Sequence, residues 1–174
     1  MKYKDALAES MNGLARDPKT VFLGYNTRCG RANGTLKDVP ATQIIETPLA
    51  ENLMMGMAIG MALEGYRPVV YFERFDFIFN ALDSIVNHLN MIKLISDGEF
   101  DPAVIIRAVV GGTQRPLFTG PTHTQDYTAA LRRMVTFPVT ALTTVDSVRV
   151  AYDTARLAVT PMMFVEYKDL YEQE

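Results

Sequence analysis

Cysteine is nearly missing from this 174-residue chain, where Cys29 stands alone. That excludes an internal disulfide and leaves no second thiol to share a metal, so a reducing compartment is the expected setting. Histidine is almost as scarce, with two, and no HxH or HExxH spacing or clustered carboxylate set marks a metal site. No basic run occurs, and 17 Lys and Arg against 20 Asp and Glu leave a formal charge of −3. Neither nucleic acid nor an anionic membrane surface is an expected partner. The opening "MKYKDALAES" has no apolar signal region, and the longest uncharged apolar run is too short to span a bilayer. The expectation is a soluble, cytoplasmic protein. Nucleotide fingerprints are lacking as well: "GGT" at 111–113 has no GxGxxG spacing, and no Walker Lys-Ser/Thr occurs.

What is present suits a globular protein. Hydrophobic residues make up 48% and charged residues 21%, and a chain of this length buries roughly two thirds of its unfolded surface in one core. Periodicity predicts strands over 20–24, 42–45, 67–72, 102–109, 137–142 and 161–167. Between them it predicts helices over 3–15, about 49–64, 75–96, 125–134 and 146–158, with long polar loops at 25–40 and 110–124. Six short apolar strands alternating with helices imply an α/β fold in three layers, a mostly parallel six-stranded sheet with helices on both faces, as a single domain over 1–174. Ligands of such sheets sit beyond the carboxyl ends of the strands. Glu51, the Phe75/Phe77 pair and His123 all follow strand ends and so share that rim.

Individual residues carry competing readings. Glu51 opens "ENLMMGMAIGMAL", an uncharged small-residue helix. An acidic residue there is favoured simply by the helix dipole and the free N–H groups. Gly56 and Gly60 lie on one helical face, each at a helix cost of up to about 1 kcal/mol against Ala, which implies close approach of a neighbouring helix or subunit. Met54, Met55, Met57 and Met61 suit an irregular core or an interface. His88, in mid-helix, reads as structural or interfacial. His123, in the polar "GPTHTQD", is placed for acid–base or substrate hydrogen-bonding work. Cys29 has no partner in sequence that would activate it.

Taken together, "ETPLAEN", "GMAIGMALEGYRPVVYFERFDF", "PAVIIRAVVGG" and "GPTHTQD" resemble the beta subunit of the decarboxylating component of 2-oxoacid dehydrogenase complexes. The wider group is the transketolase-like thiamine-diphosphate enzymes, and the resemblance covers essentially the whole chain as their pyrimidine-binding domain. It implies the thiamine-diphosphate-binding fold. It implies that Glu51 hydrogen-bonds the cofactor's aminopyrimidine and promotes loss of the thiazolium proton, in an apolar setting that favours a shared proton. It places Phe77 against that ring with Phe75 beside it, and makes His123 the substrate-side histidine. "SDGEF" at 96–100 does not reproduce the Gly-Asp-Gly motif of the diphosphate and magnesium domain. A separate subunit is thus expected to supply it, most simply in a heterotetramer, and the family's usual C-terminal domain is expected to be absent. The implied reaction is decarboxylation of a 2-oxo acid or cleavage of a ketose, with transfer to an acceptor. The alternative is a non-catalytic scaffold or regulatory subunit. Departures from the family are "GYN" at 24–26, Tyr71 where a glutamate is common, and the loop around "TQRPLF".

Overall fold

A computed structural model describes residues 1–114 and 117–174. Arg115 and Pro116, part of the divergent "TQRPLF" loop, lie outside the described residues. Six strands form one sheet: β1 (Thr20–Gly24), β2 (Ile44–Glu46), β3 (Arg67–Phe72), β4 (Ile105–Val110), β5 (Val139–Ala141) and β6 (Met162–Tyr167). Their spatial order is β2-β1-β3-β4-β6-β5. Every pairing is parallel, so the expected "mostly parallel" sheet is wholly so.

Strand residues alternate between two cores because side chains of a strand point to opposite faces in turn. On one face Val70, Phe72, Ile106, Ala108 and Met163 pack with α2 (Glu51–Leu63), the segment that follows β3, and Leu131 of α4 (Thr128–Met134). On the other, Val69, Tyr71, Ile105 and Phe164 pack with α1 (Tyr3–Leu14) and α5 (Val145–Leu157). Loop 25–40 contributes Ala32, Leu36 and Val39 to that second core, so it is packed, not merely polar. Among the described residues no helix is long and apolar enough to cross a membrane.

Local chemistry sets the helix ends. α5 begins with a reciprocal capping box between Thr144 and Ser147. α2 stops where Gly65 takes φ 81° and the N–H groups of Gly65 and Tyr66 return to the carbonyls of Ala62 and Met61. The continuous helix expected over 75–96 is not formed. A 3-10 helix (Phe75–Ala81), a π-helix (Ser84–Leu89) and the short α3 (Ile92–Ile95) replace it. The breaks fall where polar side chains bond across to other elements. Asn80 donates to Glu51, Ser84 donates to Asn52 (2.6 Å), and Asn90 accepts from the backbone and hydroxyl of Thr136 (2.7 and 2.9 Å). Such side-chain bonds compete with a regular helical ladder.

Candidate active site

Strand order reverses beside β1: the chain steps from β1 outward to β2, then back across to β3. A crevice outside the carboxyl ends at such a reversal is where ligands of open α/β sheets bind. A cavity of about 310 Å³ lies there, walled by Tyr25 after β1, by Tyr71 to Arg74 at the end of β3, by Glu51 and Met54 of α2, and by Phe77, Thr119 and His123. The strand ends can come this close because residue 24 is glycine. It has φ 151°, and a Cβ there would sit 2.6 Å from the Tyr71 carbonyl oxygen.

Glu51 is the first residue of α2, after Ala50 in non-helical geometry with no side-chain cap. It is buried at 8% exposure, and the helix N-terminus favours a negative charge there. Asn80 Nδ2 donates to its Oε2 at 3.3 Å. Phe77 presents a ring that is 36% exposed. The ring of His123 meets it edge-on, with centroids 5.2 Å apart and planes at 85°. Thr122 Oγ1 lies 3.0 Å from His123 Nδ1. The His123 loop is anchored from two sides. The Gln125 N–H donates to Asp76 Oδ1 at 3.2 Å, and Gly111 packs so tightly that a Cβ there would overlap the His123 carbonyl oxygen. Glu51, Phe77 and His123 are therefore brought together, as the sequence reading expects.

Phe75 is not. Its ring is 0% exposed in the core under the sheet and meets Tyr127 edge-on at 6.0 Å. The tight turn of the 3-10 helix carries Phe75 inward while Phe77 faces the cavity, so Phe75 supports the wall from behind and does not line it. His88 is on the surface, its Nε2 3.3 Å from Asp83 Oδ2. Cys29 is exposed. The "GGT" segment holds no open cradle, because the N–H and hydroxyl of Thr113 both donate to Asp169. Gly56 and Gly60 face open space: among the described residues, the adjoining backbone of α2 aside, no atom lies within 4 Å of an added Cβ. No group of three His, Cys, Asp or Glu side chains suited to a metal gathers among the described residues.

Motif reading missed a polar layer beside the cavity. The Glu46 carboxylate accepts backbone N–H bonds from Asn26 and Arg28, both 2.5 Å, which folds loop 25–40 back onto β2. Asn33 Nδ2 donates to the Tyr71 hydroxyl at 2.6 Å. Asn26 and Asn33 both donate to Glu73 Oε1, at 3.1 and 3.4 Å. Beneath Tyr71 lies Arg107, its guanidinium 5.1 Å from the ring centroid. Arg107 is paired with Glu166 through Nε (2.7 Å) and Nη2 (3.0 Å), both side chains fully buried. Tyr152 and Tyr171 hydroxyls also donate to Glu166, each at 3.0 Å. Burial, then the Glu166 charge, raises both tyrosines well above their ordinary range. One signal was available in the sequence: Arg107 and Glu166 are single charges inside apolar strands, and such charges occur in pairs.

Comparison with known proteins identifies the family and the fold. The family model for the transketolase pyrimidine-binding domain matches residues 1–173. The pyruvate dehydrogenase E1 component subunit beta of Gracilaria tenuistipitata var. liui is 31% identical over 173 residues, covering 96% of this chain and 53% of that protein. The same subunit of Rickettsia conorii (strain ATCC VR-613 / Malish 7) is 29% identical, with 97% and 51% covered. Among solved structures, a split gene transketolase in an inactive beta4 tetramer superposes with a TM-score of 0.71 at 20% identity, covering 95% of this chain and 50% of that one. The chain thus spans about half the length of these relatives.

Proposed function

The chain belongs to the transketolase pyrimidine-binding domain family, and on that premise we propose that it is the pyrimidine-binding subunit of a divided thiamine-diphosphate enzyme of the cytoplasm. The observation that carries the proposal is the convergence of a buried carboxylate, an exposed aromatic face and an imidazole on one cavity at the sheet's reversal point. The donor set fits the cofactor's aminopyrimidine. Among the described residues the Glu51 carboxylate has a single hydrogen bond, from Asn80 to Oε2, which leaves Oε1 for a ring nitrogen. Phe77 offers a flat apolar face to the ring.

Thiamine diphosphate supplies, when bound, a thiazolium carbon that becomes a nucleophile once its proton is lost. Glu51 holds and moves a proton at the aminopyrimidine ring nitrogen. Phe77 orients the ring and keeps water from it. His123, held against Phe77, hydrogen-bonds the substrate carbonyl oxygen and handles its proton. The substrate is a 2-oxo acid or a ketose. Binding the diphosphate and its magnesium falls to a separate subunit, in a heterotetramer whose sites lie at the interfaces. The outer face of α2 suits that contact: Leu53 and Leu63 are 49% and 42% exposed, and Gly56 and Gly60 leave the backbone open between them.

The test is calorimetric titration of thiamine diphosphate with magnesium into the chain alone, into a co-encoded diphosphate-binding chain, and into their mixture. Tight binding only by the mixture is expected, and tight magnesium-dependent binding by this chain alone would refute the divided site. In the mixture, Glu51→Gln should leave assembly intact and lower turnover by about 10²-fold or more, the scale of one positioned acid–base group. His123→Ala should instead preserve proton exchange at the thiazolium carbon while slowing turnover.

A further inference from the structure

Arg74 lines the same cavity as Glu51, Phe77 and His123, and the chemistry proposed above does not use it. A guanidinium carries five N–H donors in a planar fork and stays charged at any ordinary pH. Among the described residues Arg74 places one of them, from Nη1 to the carbonyl oxygen of Glu73 at 2.8 Å. Its Nε is buried with no hydrogen-bond partner among the described residues. A buried donor without an acceptor is costly to keep, and such groups concentrate where a ligand supplies the acceptor.

The nearest counter-charge is deliberately engaged elsewhere. Glu73 Oε1 is 3.8 Å from Arg74 Nη1, a loose pairing. That same oxygen accepts the side-chain amides of Asn26 and Asn33. Both asparagines adopt left-handed backbone geometry, φ 60° and 58°, in the loop that Glu46 folds back against the sheet. Left-handed non-glycine residues are uncommon and gather where the surroundings over-determine them. Their amides draw the Glu73 carboxylate to their side. A second cation adds to the field: Lys168, at the end of β6, has an ammonium pushed down first by burial and next by the charge of Arg74. The cavity wall also carries Glu51 and Glu73, so an anion would be held by the directed N–H donors of Arg74 and not by a net positive field.

We propose that Arg74 is a specificity-determining residue that binds an oxyanion of the substrate, a carboxylate or a phosphate ester, in the cavity walled by Glu51, Phe77 and His123. The inference rests on the thiamine-diphosphate reading for what the substrate undergoes, but not for the anion site itself. A guanidinium recognises both oxyanions by the same forked donation. The substrate is accordingly an anionic one, and neutral 2-oxo compounds or unphosphorylated ketoses are poor donors.

The experiment uses the full chain alone, labelled with nitrogen-15, and follows the Arg74 Nε–H signal during titration with inorganic phosphate and, separately, acetate at constant ionic strength. A saturable shift with either probe is the expected result, and the tighter probe identifies the source. Arg74→Gln should weaken saturation by about tenfold or more, the scale of a charge-assisted hydrogen bond, and Arg74→Lys should retain part of it, with melting temperature unchanged in both. No saturable shift with either probe, or equal saturation in Arg74→Gln, would overturn the proposal. Cofactor titration of the partner mixture separates the two readings. Arg74→Gln should bind thiamine diphosphate normally there. A wild-type mixture that binds no cofactor, beside a chain that still titrates at Arg74, would overturn the divided-enzyme reading and not the anion site.

Discussion

Glu166→Gln is the substitution whose consequence the structure defines most sharply. Glu166 is fully buried between β4 and α5 and accepts four bonds: two from Arg107, one from Tyr152 and one from Tyr171. Glutamine keeps the shape but removes the charge and turns one acceptor into a donor aimed at donors. Arg107 is then a buried cation with no anion, and its Nη1 already lacks a partner among the described residues. Breaking a buried pair by removing one member costs about 3–5 kcal/mol. Against a total of about 5–15 kcal/mol for a domain, that is a large share. For this chain length it corresponds to a fall of roughly 6–20 °C in melting temperature.

The assay is thermal and urea unfolding of wild type, Glu166→Gln, Arg107→Met and the double variant. Removing both charges leaves no uncompensated ion, so the double variant should be less destabilised than the sum of the singles by about 1–3 kcal/mol. It will not return to wild type, because Tyr152 and Tyr171 donate to different oxygens of Glu166 and glutamine keeps only one of them, while Thr35, which Arg107 also reaches at 3.0 Å, keeps its bond to the Ala32 carbonyl. Additive singles, within about 0.5 kcal/mol, would refute the reasoning and mean that solvent or a rearranged side chain compensates Arg107.

Three further outcomes are expected. Phe75→Ala should cost about 3–5 kcal/mol of stability as a core cavity, whereas Phe77→Ala should change stability by no more than about 1 kcal/mol and weaken cofactor binding in the partner mixture; the reverse pattern would exchange their assignments. Gly111→Ala, whose methyl would overlap the His123 carbonyl oxygen, should shift the His123 ring proton signals with little loss of fold, and unshifted signals would show that the loop does not depend on that contact. Alkali should destabilise the protein: burial raises Tyr3, Tyr71, Tyr152 and Tyr171 above the ordinary 10.0. Above about pH 10 the unfolded chain therefore binds fewer protons than the folded one, and stability falls by about 1.4 kcal/mol per pH unit for each such tyrosine. Denaturant titration across that range checks the slope, and a stability that does not fall above about pH 10 would contradict it.

The features legible in the sequence are those governed by chain-local pattern. β1 and β3 occupy 20–24 and 67–72 as expected, because each is an apolar run punctuated at both ends. Glu51 and His123 were legible because they follow strand ends, and strand ends in a parallel sheet point to one rim. Features governed by cross-chain partners were not. The 75–96 segment has an apolar periodicity suited to one helix, yet Asn80, Ser84 and Asn90 bond to Glu51, Asn52 and Thr136, and the helix breaks at those tertiary demands. Phe75 and Phe77 are two residues apart in identical composition, and only the turn geometry of Phe75–Ala81 sends one to the core and the other to the cavity.

Tyr71 joins the two kinds of information. The family resemblance marks it as a departure, a phenol where a glutamate is expected, but gives no reason. In the fold its ring lies over Arg107 and its hydroxyl accepts from Asn33, whose amide also reaches Glu73. A second carboxylate at that position would stand over a guanidinium already paired with Glu166 and beside Glu73, adding a negative charge next to Arg74. The phenol keeps its proton, because burial pushes its titration up. It adds no further negative charge beside Arg74. The departure at position 71 and the Arg74 Nε that has no partner among the described residues thus belong to one arrangement of charge, and the variant Tyr71→Glu should weaken the Arg74 response to phosphate while leaving Arg74 itself in place.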